Sequence, residues 1–206
     1  TLTNDVVAAT TSPEVPNGLP NTDAVSVHVP FADPWVDKSG PATATPRGTM
    51  SYTLRYGNAS PTGTTDLLVL DRLPDLRLIS VRSYAGETIY YNTSTAAVAP
   101  AFDLADPAAG GWTTTRPAGA VTSIAVHRPS LPGNSGPFTI EVVLEVRRNS
   151  GLVPLAGDDI ENCASIGYPT GRAAGDELLT NNSDCTTAAV PGIDLALDLG
   201  CSPDGA

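Results

Sequence analysis

The chain repeats itself, and the copies abut. Asn21-Thr22-Asp23-Ala24 through Val29-Pro30 aligns without a gap on Asn182-Ser183-Asp184-Cys185 through Val190-Pro191, an offset of 161 (182 less 21). Upstream, Leu2-Thr3-Asn4 matches Ile160-Glu161-Asn162 at an offset of 158 (160 less 2), and downstream Asp33 and Asp37 fall on Asp194 and Asp198. Residues 1–30 therefore read as the last two strands of one unit, 31–190 as a complete unit, and 191–206 as the first strand of a third. Self-similarity at a fixed period makes the repeat the unit of folding and outranks any single-residue signal. Arrays of this kind serve reach, spacing and adhesion more often than chemistry, so no enzymatic activity is expected.

Within the complete unit the apolar pattern has a period of two. Phe138, Ile140, Val142, Leu144 and Val146 share one face of a segment whose other face carries Thr139, Glu141, Glu145 and Arg147, with Val143 the exception. Met50, Tyr52, Leu54 and Tyr56 alternate in the same way with Ser51, Thr53 and Arg55. That alternation is the signature of a strand buried on one side. Further strands are expected near 66–71, 76–84, 87–91, 120–127, 160–167 and 183–190. Nineteen Gly and nineteen Pro punctuate the chain, clustered at Asn58–Gly63, Pro107–Gly111 and Pro132–Pro137, and helix signals are nearly absent. The expected fold is all-β: an immunoglobulin-like antiparallel β-sandwich with partial repeat strands at both ends.

A net charge of −11 and a pI near 4.3 disfavour nucleic acid and anionic membranes as partners. No apolar run approaches the roughly 20 residues of a membrane span, so no direct membrane insertion is expected. Ten of the eleven cations are Arg, and the exception is Lys38.

Three blocks of sequence resemble a known family. Lys38–Gly48 followed by Met50–Asn58 resembles the opening of a bacterial surface repeat. Val69-Leu70-Asp71-Arg72-Leu73-Pro74-Asp75-Leu76 looks like its middle signature, and Asn162-Cys163-Ala164-Ser165-Ile166 with Asn181-Asn182-Ser183-Asp184 like its close. The family is the "domain of unknown function eleven", found in tandem on secreted and cell-surface proteins. The resemblance covers 31–190 and part of each flank; it implies an Ig-like sandwich with a structural or adhesive role, and neither catalysis nor a cofactor. The stretch 85–135 lies outside it and reads as an enlarged insertion.

Cys163 and Cys185 fall on the two closing strands. The matching positions of the preceding copy are Asp5 and Ala24, so both cysteines are missing there together, as a disulfide pair would be. A bridge implies an oxidising compartment; two buried free thiols are the alternative. Neither His28 nor His127 has ligand spacing to a cysteine, and no metal site is expected. Cys201 belongs to the following unit.

Lys38 invites a second cross-link. A desolvated, neutral Lys amine can attack an Asn side chain to form an amide, given a nearby carboxyl to shuttle protons. Lys38 on the first strand, Asn162 on a closing strand and Asp71 between them supply those groups. The bland alternative leaves Lys38 at a sheet edge in solvent and Asn162 bonded to backbone; Asn4 keeps the Asn in the preceding copy, while Leu199 replaces the Lys in the following one.

Other constellations are weaker. Gly133-Asn134-Ser135-Gly136-Pro137 superficially resembles a nucleophile loop, but turn chemistry favours a plain β-turn there, with His127 only eight residues before Ser135 (135 less 127). Asp158, Asp159 and Glu161 lack the spacing of a calcium loop. Trp35, Tyr90, Tyr91 and Trp112 read as core aromatics rather than a sugar platform. Asn58, Asn92 and Asn181 each open an Asn-x-Ser/Thr sequence and mark loops able to accept glycans. The expected role is a structural repeat of an extracellular bacterial stalk, filament or adhesin, joined to neighbouring repeats or subunits through strand pairing at its ends. One alternative is a module binding glycans or host proteins through 85–135; another is an accessory domain of a secreted hydrolase.

Overall fold

The computed structural model describes residues 2–7, 22–27, 30–83, 86–96, 98–170 and 178–192. Eleven strands are present among them: β1 (Leu2–Val7), β2 (Thr22–Val27), β3 (Pro34–Ser39), β4 (Thr49–Asn58), β5 (Thr64–Arg72), β6 (Arg77–Ser83), β7 (Thr88–Asn92), β8 (Ser123–Leu131), β9 (Ser135–Glu145), β10 (Asp159–Gly167) and β11 (Ser183–Ala189). Among the described residues, helix is confined to two short 3-10 turns, Pro107–Gly110 and Leu179–Asn181. The ladders of β3 to β11 are antiparallel and form a four-stranded sheet of order β3-β4-β9-β6 and a five-stranded sheet of order β11-β10-β5-β8-β7. The all-β sandwich is as expected from the period-two pattern.

The alternating residues meet between the two sheets. Tyr52, Leu54, Tyr56, Ile140, Val142 and Leu144 point in from the four-stranded sheet, and Leu67, Val69, Ile124, Val126, Ala164 and Ile166 from the other. Val143 is half-buried on the outer face, so the exception to the alternation does not disturb the core. One side of the sandwich is closed where the chain after β3 pairs with β11: Ala44 N–H donates to the Ala189 carbonyl and Ala189 N–H to that of Ala42, both at about 3 Å.

The stretch 85–135 is not an insertion lying outside the sandwich. It contributes β7 and β8 to the five-stranded sheet, and only 93–122 is irregular. That segment covers the outer face of the sheet, where Phe102 and Trp112 are buried against Leu68 and Ala125. Leu67 and Leu68 are therefore both buried, one on each face of β5. A strand covered on both sides loses the clean alternation that marks its neighbours.

β1 and β2 form a separate two-stranded antiparallel sheet. Its register reproduces that of β10 and β11 pair for pair. Leu2↔Val27, Asn4↔Val25, Asp5↔Ala24 and Val7↔Thr22 become Ile160↔Ala188, Asn162↔Thr186, Cys163↔Cys185 and Ser165↔Ser183 under the two sequence offsets, and the two remaining pairs do the same. Among the described residues this hairpin pairs with no other strand, and Val25 is exposed. The expected strand of a following unit, with Ile193, Leu195, Leu197 and Cys201, lies outside the described residues, as do His28 and Val29.

Candidate functional site

Three fully buried inward-facing positions, one each on β3, β5 and β10, are polar. On β3 the buried positions are Pro34, Val36 and Lys38; on β5 the inward row is Leu67, Val69 and Asp71; on β10 it is Ile160, Asn162, Ala164 and Ile166. Each polar residue thus occupies the place that an aliphatic one would fill if the alternation simply continued. β3 belongs to one sheet, β5 and β10 to the other, so Lys38 reaches across the core towards the opposite layer. Asp71 lies opposite Ala164 on β10, which makes Asn162 its diagonal neighbour on the same face.

Lys38 Nζ stands 2.7 Å from Asp71 Oδ1, with side-chain exposures of 0% and 1%. Asn162 is equally inaccessible. The amine–carboxyl contact lacks hydrogen-bond geometry. Among the described residues, Lys38 Nζ, both Asp71 oxygens and both polar atoms of the Asn162 amide are left without a directed hydrogen bond. Buried polar atoms are ordinarily satisfied, and five adjacent exceptions are unusual. The alternative that placed Lys38 in solvent, and Asn162 on backbone, does not hold.

The electrostatics point the same way. Burial drives the Lys38 amine below its usual range, and the nearby carboxyls of Asp71 and Asp184 pull it back only in part. Burial drives the Asp71 carboxyl up, against the opposing effects of Lys38 and the Asn162 amide. Both shifts favour the neutral amine beside the protonated acid. The Tyr52 ring lies 5.1 Å from Lys38 Nζ, and burial pushes its hydroxyl up to about 12. Asp184 on β11 accepts the backbone N–H of Lys38 at 2.7 Å, tying β3 to the opposite sheet at this position. Sequence reasoning does not place Tyr52 or Asp184 in the site; the available signals are Tyr52's place on the inward row of β4 and the recurrence of Asp184 as Asp23 in the preceding copy.

One residue beyond Asn162, Cys163 is bonded to Cys185 across the β10–β11 ladder, with a sequence separation of 22. Glu161 lies with the two sulfurs, but both are committed to the disulfide.

The remaining candidates fall into structural roles. Ser135 Oγ donates to the Pro132 carbonyl, whereas the His127 ring is paired with Asp66. Asp158 accepts from Leu155 N–H and from Arg148, which occupies its carboxylate. Trp112 is buried edge-on to Phe102, and Phe102 edge-on to Tyr90; Tyr91 packs against the main core and Trp35 is half-buried beside Gly57. Two of the three candidate glycan-acceptor asparagines are interior. Asn58 accepts from the N–H groups of Asp33 and Ser60 and donates to the Thr62 and Pro132 carbonyls, and Asn92 donates to the Gly110 carbonyl. A cleft of about 380 Å³ is lined by Arg77, Arg116, Arg147 and Arg148. Each guanidinium there already has a partner: Glu145, the Leu78 and Ile79 carbonyls, the Gly151 carbonyl, and Asp75 with Asp158, respectively.

The chain matches no protein-family model and no curated protein.

Proposed function

We propose that this chain is a segment of a tandem array acting as a structural spacer in an extracellular bacterial stalk, filament or adhesin. The observation that carries this reading is the shared register: all six pairs of the β1–β2 hairpin recur in β10–β11 at the two sequence offsets. Two hairpins of one chain with the same register and the same aligned sequence are best understood as the closing strands of successive copies. The disulfide supports an oxidising compartment, in which structural bridges persist. The acidic balance suits a soluble surface that does not self-associate.

The rival that assigned recognition to 85–135 is weakened because β7, β8 and the buried Phe102 and Trp112 spend that stretch on the sandwich itself. The test is dimensional. Proteins of one, two and three concatenated copies of residues 31–190 are measured by small-angle X-ray scattering. A spacer requires the maximum dimension to rise linearly with copy number. Copies that collapse on one another into a compact particle would remove the reading, and a catalytic domain elsewhere in the same gene would reassign the unit as an accessory domain of a secreted hydrolase.

A further inference from the structure

We propose that Lys38 and Asn162 become joined by an intramolecular amide bond, with Asp71 as the proton-transfer group, and that this bond and the Cys163–Cys185 disulfide together carry tension through the unit. The juxtaposition on which it stands is unusual on physical grounds. An amine, a carboxyl and a carboxamide converge in the buried layer between two sheets, each on an inward row; the amine and carboxyl are in contact at 2.7 Å, yet none of the three makes a well-directed hydrogen bond. Burying three such groups without directed hydrogen bonds is costly, and a well-packed aliphatic trio would be more stable. Formation of the amide replaces the amine and the primary amide with a single secondary amide, whose N–H and carbonyl oxygen can both bond to Asp71.

The chemistry balances without any external reagent. The Lys38 Nζ lone pair attacks Asn162 Cγ while the Asp71 carboxylic acid donates its proton to the amide oxygen. The carboxylate then takes a proton from the new ammonium and delivers it to the departing NH₂ group. The Nζ–Cγ bond having formed in the attack, collapse of the tetrahedral species re-forms the carbonyl, breaks the original C–N bond, returns the hydroxyl proton to Asp71 and releases one molecule of ammonia. No electron transfer is involved. Asp71, in contact with the amine, is placed to serve both transfers.

The consequence for the fold follows from chain positions. Lys38 is on the first strand of the unit, Asn162 on the penultimate one, and Cys163 is bonded to Cys185 on the last. Force entering at residue 31 and leaving at residue 190 then passes along 31–38, across the amide to 162–163, across the disulfide to 185, and out along 185–190. Everything between is bypassed, including β4 to β9. The force-path part rests on the spacer reading; the bond itself does not.

Intact mass of the full chain, denatured and reduced, tests the bond. The expected mass is lower than the sequence mass by one ammonia, with a branched peptide joining Lys38 to Asn162 after proteolysis. Lys38→Met, Asp71→Ala and Asn162→Ala are each expected to run at their full sequence mass. An unshifted wild-type mass overturns the proposal irrespective of how the variants fold, and leaves the spacer reading intact because that rests on the repeat register. Single-molecule pulling from the two ends of the unit tests the force path. The oxidised wild type is expected to show no unfolding extension. Reduction is expected to release the 22-residue loop, roughly 70–80 Å of contour. Lys38→Met is expected to release the segment of 124 residues (162 less 38), roughly 410–450 Å. A long extension from oxidised wild type that carries the ammonia loss would overturn the force path while sparing the bond.

Discussion

Removing the disulfide with the double substitution Cys163→Ala and Cys185→Ala isolates an effect on the unfolded chain. The two residues face each other on the outer side of the β10–β11 ladder, with Cys163 half-buried and Cys185 exposed, so truncating them takes little from the folded core. What changes is the freedom of the unfolded chain. A bridge closing a separation of 22 residues lowers the unfolded entropy enough to contribute about 3 kcal/mol at 25 °C in the chain-entropy expression. For a unit of this size a loss of that magnitude corresponds to a fall in Tm of roughly 6–12 °C. The loop also abuts, without overlapping, the segment between Lys38 and Asn162, so its contribution is expected to persist whether or not those two are linked. Urea unfolding of the oxidised wild type and the double variant, followed by far-UV circular dichroism, measures the difference. An entropic origin predicts a second sign: the unbridged unfolded state is more expanded, so the m-value rises. Superimposable curves, or a difference below about 1 kcal/mol with an unchanged m-value, would refute this account.

Three further outcomes are expected. Lys38→Met removes the group that contacts Asp71 and leaves the carboxyl alone in the core, at an expected cost of roughly 3–5 kcal/mol at neutral pH; because burial raises the Asp71 pKa in the folded state, its contribution is fully present below the ordinary carboxyl range near 4 and is lost as pH rises through the folded value. Relative to Lys38→Met/Asp71→Asn, the single variant should therefore lose Tm steadily as pH rises above about 4, and parallel profiles would defeat the argument. Asn58→Ala removes four hydrogen bonds that gather the Asp33, Ser60, Thr62 and Pro132 backbones, at a cost of about 3 kcal/mol in chemical denaturation. Gly40→Ala is expected to cost about 1–3 kcal/mol in the same assay, since a Cβ there would stand 2.5 Å from the ring of Tyr52, which is fully buried and has no room to yield.

Much of the fold was legible locally. Period-two alternation marked β4 and β9 to within a few residues, and the Gly/Pro clusters marked the turns between strands, because the pleat places every second side chain on one face regardless of what lies beyond it. The cysteine pairing was legible for another reason. Two copies of one hairpin, compared in a single chain, showed both positions changing together, and the ladder indeed sets Asp5 opposite Ala24 as it sets Cys163 opposite Cys185.

Other features were decided only by the tertiary structure. Alternation says which residues share a face, not whether that face meets a sheet or water, so Lys38 read equally well as an edge cation or a buried amine until the second sheet closed over β3. Asn58 and Asn92 read as loop residues open to modification, yet long-range backbone partners draw both inside. The stretch 85–135 read as an insertion because it lies outside the family resemblance, although it supplies β7 and β8, and Phe102 and Trp112 seal the outer face of the sheet. Local sequence encodes backbone conformation and facing through short-range sterics and the pleat. Burial, and with it the perturbed chemistry of Lys38, Asp71 and Asn162, arises where strands distant in sequence are brought face to face.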